Sequence, residues 1–390
     1  MRIGMPLPYS GSFTETVQEL PDYQQAGVQI VYVAEAYSFD AVSQLGYIAA
    51  KVPGLEIGSD ILPIYTRTPS LLAMTAAGLD QLSGGRFTLG IGASGPQVIE
   101  GFHGVPYDAP IGRTRDVIEI CRQVWRREPV VHDGRHYTVP LTAEHGGSGL
   151  GKPLKLINTP VRERIPIMVA AMGPRNVSLA AELAEGWAPF FYRPEGADTV
   201  WGEALRAGFA RRDPGLGPLD VVAPVTVAIG DDLDHLLDAA RPQFALYIGG
   251  MGARGQNFYN ALARRYGYEA EAEKIQDLYL AGHKAEAAAA VPMDLLRSVS
   301  LVGPAGWVAE RVAALAEAGV TTLAIRPGAG WAACGLGVNA RSSSASSRPP
   351  ACSCCTAPST SRPGGSRRWA SRRARCSAAP SSTSTTPARC

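Results

Sequence analysis

The sequence predicts a parallel (β/α)8 barrel carrying two insertions. Three observations lead there. Apolar, β-rich runs alternate with amphipathic stretches over residues 1–330, the runs number eight, and a glycine commonly sits just before the run. Continuous apolar strands, unlike alternating ones, imply burial on both faces, which helices supply around a parallel sheet. Eight strand–helix units suggest a closed barrel, with side chains packed at its centre and the active site at the carboxyl ends of its strands.

Taken in order, Met1–Pro6 (MRIGMP) reads directly as a strand, with no leader of charged, then apolar, then small residues before it. Gly27 precedes VQIVYVAE, Gly54 precedes LEIGSDIL, Gly85 precedes RFTLGIG, Gly186 precedes WAPFF and Gly319 precedes VTTLAI. A glycine there fits a left-handed helix cap that leads into a strand. RIPIMVAA (164–171) and LDVVAPVTVAIG (219–230) complete the eight. Helical patterns fall at about 14–26, 39–51, 69–83, 111–127, 175–185, 197–212 and 304–318. Residues 128–163, rich in Gly, Pro and His, predict a long loop or short hairpin over the barrel mouth. Residues 232–300 predict a helical insertion suited to a cap, a lid or a dimer contact. An eighth helix is due after the last strand, and a different kind of polymer begins instead.

The chain has 390 residues, 46% of them hydrophobic, yet no run of eighteen apolar residues that would span a bilayer. Its formal charge of +2 conceals two opposite parts. Residues 331–390 hold nine Arg and no Lys, Asp or Glu, which leaves 28 basic and 35 acidic side chains in residues 1–330. Cys121 is the one cysteine of that acidic part; Cys334, Cys352, Cys354, Cys355, Cys376 and Cys390 all lie beyond it. With no Leu, Ile, Val, Phe, Tyr or Met after Val338, the tail cannot offset its ordering entropy and is expected to be disordered. A nucleic-acid arm, a metal cluster and a disulfide tail are three functional readings of it. None has its usual companions: no Lys, no aromatics beyond Trp369, no His near the cysteines. A shifted reading frame in a GC-rich gene accounts for the mixture best. The expectation is therefore a cytoplasmic barrel over 1–330, nearly free of cysteine, with neither nucleic acid nor membrane as partner.

Several motifs carry chemistry. Gly90-Ile91-Gly92-Ala93-Ser94-Gly95 spells GxGxxG after a strand, but it falls on the fourth strand and no acidic residue ends a following strand. The glycines fit backbone amides approaching a flat ring or a phosphate at a barrel mouth better than a Rossmann fingerprint. Glu100 follows in PQVIEGFHG, where a carboxylate can act as general acid or base or simply be solvated. His103 is a minor candidate beside it. Glu35 ends the second strand among apolar residues, with Tyr37 and Asp40 on the same loop. Asp60 interrupts the apolar end of the third strand. Ala171-Met172-Gly173-Pro174-Arg175-Asn176 joins a strand to a helix, and its glycine, proline and arginine suit a phosphate on free amides or plain helix capping. No HExxH or His/Asp facial pattern occurs, so no metal is expected, and His132, His136 and His145 read as solvated. No GxSxG elbow supplies a hydrolase nucleophile, and Cys121 sits inside an amphipathic helix as core.

YVAEAYSFDA, GSDILPIYTRTPSLLA, LDQLSGGRFTLGIGASGPQVIEGFHGVPYD with GRTRDVIEICRQVW, and IPIMVAAMGPRNVSLAAELAEGWAPF together resemble the luciferase-like monooxygenase superfamily. The chain is most similar to its actinobacterial branch of coenzyme F420 (deazaflavin)-dependent oxidoreductases, over about residues 1–328. The resemblance implies a (β/α)8 barrel and a bulge with a non-prolyl cis peptide after the third strand, within Ser59, Asp60 and Ile61, that backs the deazaflavin ring. It implies that Gly92, Ala93 and Ser94 line the ring edge. Ala171, Met172, Gly173 and Pro174, with Arg175, would hold the ribityl and phosphate portion. Glu100 takes the place of a proton donor or acceptor, with Glu35 as a second candidate. Some members end the second strand in Asp-His; Glu35-Ala36 stands here instead, so a His relay is not implied. The expected activity is hydride transfer between F420 and a small organic substrate, in a homodimer. Two rival readings remain open: an FMN-dependent two-component monooxygenase, and a catalytically inactive barrel that binds a cofactor or partner.

Overall fold

The computed structural model describes residues 1–9 and 11–328. The expected loss of an eighth helix and the disordered tail over 331–390 lie outside the described residues. The strands are β1 Arg2–Pro6, β2 Ile30–Val33, β3 Glu56–Ser59, β4 Leu62–Pro63, β5 Phe87–Gly92, β6 His132–Asp133, β7 Thr138–Val139, β8 Ile167–Ala170, β9 Gly186–Ala188, β10 Asp220–Ile229, β11 Leu301–Gly303 and β12 Thr322–Pro327. The helices are α1 Phe13–Gln25, α2 Ala41–Lys51, α3 Pro69–Ser83, α4 Pro96–Ile99, α5 Pro110–Trp125, α6 Pro174–Leu183, α7 Glu203–Phe209, α8 Asp234–Ala245, α9 Phe258–Arg265, α10 Glu269–Leu280, α11 Lys284–Ala289, α12 Met293–Ser298 and α13 Ala305–Glu317.

Parallel pairing runs β1–β2–β3–β5–β8–β9–β10–β12 and back to β1, so the sheet closes. β3 and β4 are two tiers of one wall. β3 pairs with the start of β5 and β4 with its end. All eight predicted strand positions are occupied. β11 is an addition: it takes over beside β10 at Val227–Ile229, above the point where β9 has ended. Gly27, Gly54, Gly85 and Gly319 have the expected positive φ, between 83° and 105°. Gly186 does not; it already belongs to β9, because Glu185 N–H bonds to Ile167 O and starts the ladder directly.

The barrel centre is small and filled. Ile30, Tyr32, Met168, Val222 and Ala324 form it, and Tyr32 leaves no room for a side chain at Gly58, where a Cβ would lie 2.9 Å from its ring. The larger core lies between barrel and helices. Trp125, fully buried, anchors α5 on α3 by packing and by donating from Nε1 to Ala73 O at 3.0 Å. Burying an indole this way stabilises only if the N–H finds a partner. Asp80 at the end of α3 is also fully buried, and Arg162 reaches it from the end of the first insertion, with Nε 3.1 Å from both carboxylate oxygens. The same guanidinium donates to Phe87 O at 2.6 Å, so one ion pair ties α3, β5 and the insertion together.

Within that insertion β6 and β7 form the short hairpin, which packs along α5 and lays Tyr137 beside Arg113. His132 is not solvated as expected but buried, because the hairpin folds its first strand back onto the helix. The second insertion is helical, α8 to α12. Its Phe244, Tyr247 and Tyr259 pack against Phe190 and Phe191 past the end of β9. Among the described residues no helix is long and apolar enough to cross a membrane.

Candidate active site

The carboxyl ends of the strands gather most of the predicted residues. Between β3 and β4 four residue steps (58 to 62) oppose three on β5 (88 to 91), so the wall bulges by one residue at Ser59–Ile61. The Asp60–Ile61 peptide is cis, at the position the resemblance implied. Ser59 is fully buried; its Oγ donates to Gly90 O at 2.8 Å and accepts from Gly90 N–H at 2.9 Å. Only glycine fits at 90, since a Cβ there would stand 1.8 Å from Ser59 O. Ser59 therefore fastens the bulge to β5, while Asp60 and Ile61 face the mouth half-buried. Burial pushes the Asp60 carboxyl up from the usual range, against the opposing pull of Arg326 at the end of β12.

Gly92 lies between the bulge and β8: a Cβ on it would meet Ile61 at 3.1 Å and Ala170 at 3.5 Å. Ala93 and Ser94 follow, half-buried, with Ser94 at φ 57°. The turn ends at Gly95, which caps α4. Glu100 caps the other end of that short helix and is exposed. One of its oxygens, Oε1, accepts from Tyr107 N–H at 3.1 Å, and Tyr107 OH donates to Ser94 O at 3.4 Å. Tyr107 thus links Glu100 to the glycine turn. The rings of Phe102 and Tyr37, 6.3 Å apart and both exposed, stand beside this loop.

Beyond β8, Ala171 is buried, Met172 and Gly173 half-buried, and Pro174 and Arg175 exposed at the start of α6. The carbonyls here are turned away and used. Ala171 O accepts from Trp187 Nε1 at 2.9 Å, and Met172 O accepts from Trp201 Nε1 at 3.2 Å and Arg265 Nη2 at 2.8 Å. A helix start whose carbonyls are engaged elsewhere presents its N–H groups and the positive end of its dipole to an anion. Arg265, brought from the second insertion by α9, adds a cation behind it.

Glu35 is placed differently. It is 10% exposed, and Arg67 grips it with both terminal nitrogens, at 2.5 Å and 2.9 Å. Its Oε2 also accepts from Ala41 N–H at the start of α2, at 3.0 Å. Arg67 bonds Asp40 as well, at 3.0 Å. Glu35 reaches the bulge through its backbone alone, its N–H donating to Ile61 O at 3.3 Å. Four contributors escaped the sequence reading. Arg67 partners Glu35 from 32 positions away, and Tyr107 partners Glu100 and Ser94 across a turn of the loop. Arg265 and Tyr259 lie in the helical insertion; burial pushes the Tyr259 hydroxyl up, with Tyr247, Tyr9 and Asp60 adding to the effect.

A cavity of about 340 Å³ opens at the opposite end of the barrel, under the amino ends of the strands. Most of its charged lining is already paired: Arg2 with Glu56 at 2.7 Å and with Asp220 at 3.4 Å, and Glu185 with Arg164 at 3.0 Å, while Arg86 donates to Leu55 O. Nothing there resembles the open donors of the mouth.

Rigid strands below and donor-rich loops above make the mouth the candidate ligand site of a barrel enzyme. Comparison supplies the family. The profile of the luciferase-like monooxygenases matches residues 1–322, and the chain belongs to that oxidoreductase family. It is 41% identical over 338 residues to a Mycobacterium tuberculosis protein assigned as a coenzyme F420-dependent oxidoreductase, covering 84% of this chain and 95% of that one. The 5,10-methylenetetrahydromethanopterin reductase of Archaeoglobus fulgidus is 27% identical over 305 residues, 76% of this chain and 85% of its own. Among solved structures, the coenzyme F420-dependent tetrahydromethanopterin reductase of Methanopyrus kandleri superposes with a TM-score of 0.69 at 20% identity, over 86% of this chain and 97% of that one.

Proposed function

We propose that this protein is an F420-dependent oxidoreductase that transfers a hydride between the deazaflavin and a small organic substrate. The observation that carries the reading is the start of α6, where engaged carbonyls, free amide donors and Arg265 meet at the barrel mouth. That donor set fits a phosphate-bearing cofactor. The relative at 41% identity supports F420 as its identity. In this reading the Ser59–Ile61 bulge backs the flat ring, Gly92, Ala93 and Ser94 border its edge, and Ala171 to Arg175 hold the phosphate portion. When bound, the deazaflavin supplies hydride chemistry at its C5.

The chain's own groups do the rest. The fastened bulge and the glycine turn orient two reactants at short range, which accounts for much of a barrel enzyme's rate gain. Glu100 carries the accompanying proton on Oε2, the oxygen that Tyr107 leaves free. Glu35, held by Arg67 and Ala41 N–H, serves as a positioning group that fixes the β2 loop against the bulge. Phe102 and Tyr37 give the entrance an apolar side, suited to a substrate with a hydrocarbon portion. The same reading has the enzyme in a reducing cytoplasm as a homodimer, which light scattering checks.

Fluorescence titration of the purified chain with F420 and with FMN tests the proposal. Saturable binding of F420, followed by substrate-dependent change in its absorbance, is the expected result. Binding of FMN and not of F420, with the product oxygenated when FMNH2 and O2 are supplied, replaces it with the monooxygenase reading. F420 bound without turnover on any tried substrate favours an inactive barrel, and no binding of either cofactor overturns the proposal.

A further inference from the structure

Away from the mouth, three potential ligands converge where the first insertion meets α5. Asp116 and Glu119 lie three residues apart on α5, and His132 faces them from β6. One donor atom from each lies within 4.8 Å of the others. His132 Nε2 is 3.4 Å from Asp116 Oδ1, and Nδ1 is 3.8 Å from Glu119 Oε2.

An acidic pair beside a histidine is ordinarily an ion pair, but two facts depart from that. His132 is 8% exposed, and its Nε2 is buried with no hydrogen-bond partner: Asp116 Oδ1 is within reach yet outside bonding geometry. Asp116 is itself held in place, with Oδ2 accepting from His136 N–H at 3.0 Å and Tyr137 N–H at 3.2 Å, so Oδ1 is the oxygen presented to the imidazole. An unmet buried ring nitrogen destabilises the fold, and a ligand at that atom would remove the cost. Gly134 closes over the pair so tightly that a Cβ there would lie 2.2 Å from His132 Nε2 and 2.6 Å from Asp116 Oδ2.

The spacing suits a metal ion. Bonds of about 2.0–2.2 Å to nitrogen and oxygen in a tetrahedron put donors about 3.3–3.5 Å apart. His132 and Asp116 already have that separation. Glu119, whose side chain is 44% exposed, has the freedom to swing in as third ligand, leaving the solvent side for water. One imidazole with two carboxylates favours Zn2+ and its neighbours over Mg2+ or Ca2+, which prefer oxygen alone. We propose that Asp116, Glu119 and His132 bind one divalent transition-metal ion of the Zn2+ type, which fastens the β6–β7 hairpin to α5.

The test uses the full chain, stripped with chelator, with the thiols beyond residue 330 alkylated so that they cannot bind zinc. Cys121 escapes alkylation, because it is fully buried and burial pushes its thiol up to about 12. Calorimetric titration with ZnCl2 is expected to give one equivalent, accompanied by a rise in melting temperature, and neither effect with MgCl2. Glu119→Gln, an exposed change that leaves the fold alone, and His132→Asn should each weaken Zn2+ at least about tenfold and abolish the thermal shift. If His132→Asn fails to fold, Glu119→Gln decides alone. Absence of Zn2+ binding in the unaltered chain, or binding unchanged by Glu119→Gln, overturns the site and leaves a buried polar contact.

Discussion

The two ends of the barrel use charge in opposite ways. At the amino end Arg2, Glu56, Arg162, Glu185 and Asp220 are all paired, around a cavity of about 340 Å³. At the carboxyl end Glu100 has one accepting oxygen engaged, and at the start of α6 the Ala171 and Met172 carbonyls are engaged while the Met172, Gly173 and Arg175 N–H groups have no acceptor among the described residues. A cavity is thus not by itself a site. A paired network satisfies itself and stabilises the closed sheet, whereas a functional mouth keeps donors and acceptors available for something that arrives later. Glu35 and Glu100 repeat the contrast within one rim, since the first is locked in a bidentate pair and the second faces solvent.

Substitutions test how far this division holds. The largest effect is expected from Asp80→Ala, which leaves the Arg162 guanidinium facing an empty buried position; chemical denaturation should show a loss of about 3–5 kcal/mol. Glu100→Gln should reduce turnover about a hundredfold or more while the melting temperature stays within a degree or two of the parent. Similar losses of turnover and stability together would mean that Glu100 is part of the scaffold. Glu35→Gln should do the reverse, costing about 1.5–3 kcal/mol of stability through its charged hydrogen bonds, with the loss of turnover below that of Glu100→Gln. Arg2→Met is the smallest, under about 1 kcal/mol in a denaturant midpoint, since its ion pairs are partly solvated. A larger cost there would show the amino-end network to be cooperative.

The sequence announced the barrel because strands buried on both faces must be largely apolar, and all eight runs are. It offered the β6–β7 hairpin only as an alternative to a long loop and did not announce β11, since strands of two or three residues leave no periodicity to read. The glycine turn and the α6 start were visible as local motifs, each confined to a few consecutive residues, whereas the bulge was implied by the family resemblance alone. What escaped was long-range partnership. Arg67 turns Glu35 from a free carboxylate into an anchored one across 32 positions, and Arg265 reaches Met172 across 93. His132 was misread for the same reason: nothing in HDGRHY says that the hairpin will fold back on Asp116. Gly186 was misread locally, because a strand can begin straight after a helix with no left-handed step.

The one-residue bulge has a consequence for facing. Side chains alternate along a strand, so positions an even number apart share a face. Gly58 looks into the barrel at Tyr32, yet Leu62, four positions on, belongs to the outer core beneath the helices. The extra residue inverts inside and outside partway up a single wall. Deleting Asp60 would leave three steps from Gly58 to Leu62, as on β5 from Thr88 to Ile91, so Leu62 would keep its place in the outer core beside Ile91 while the mouth lost its bulge.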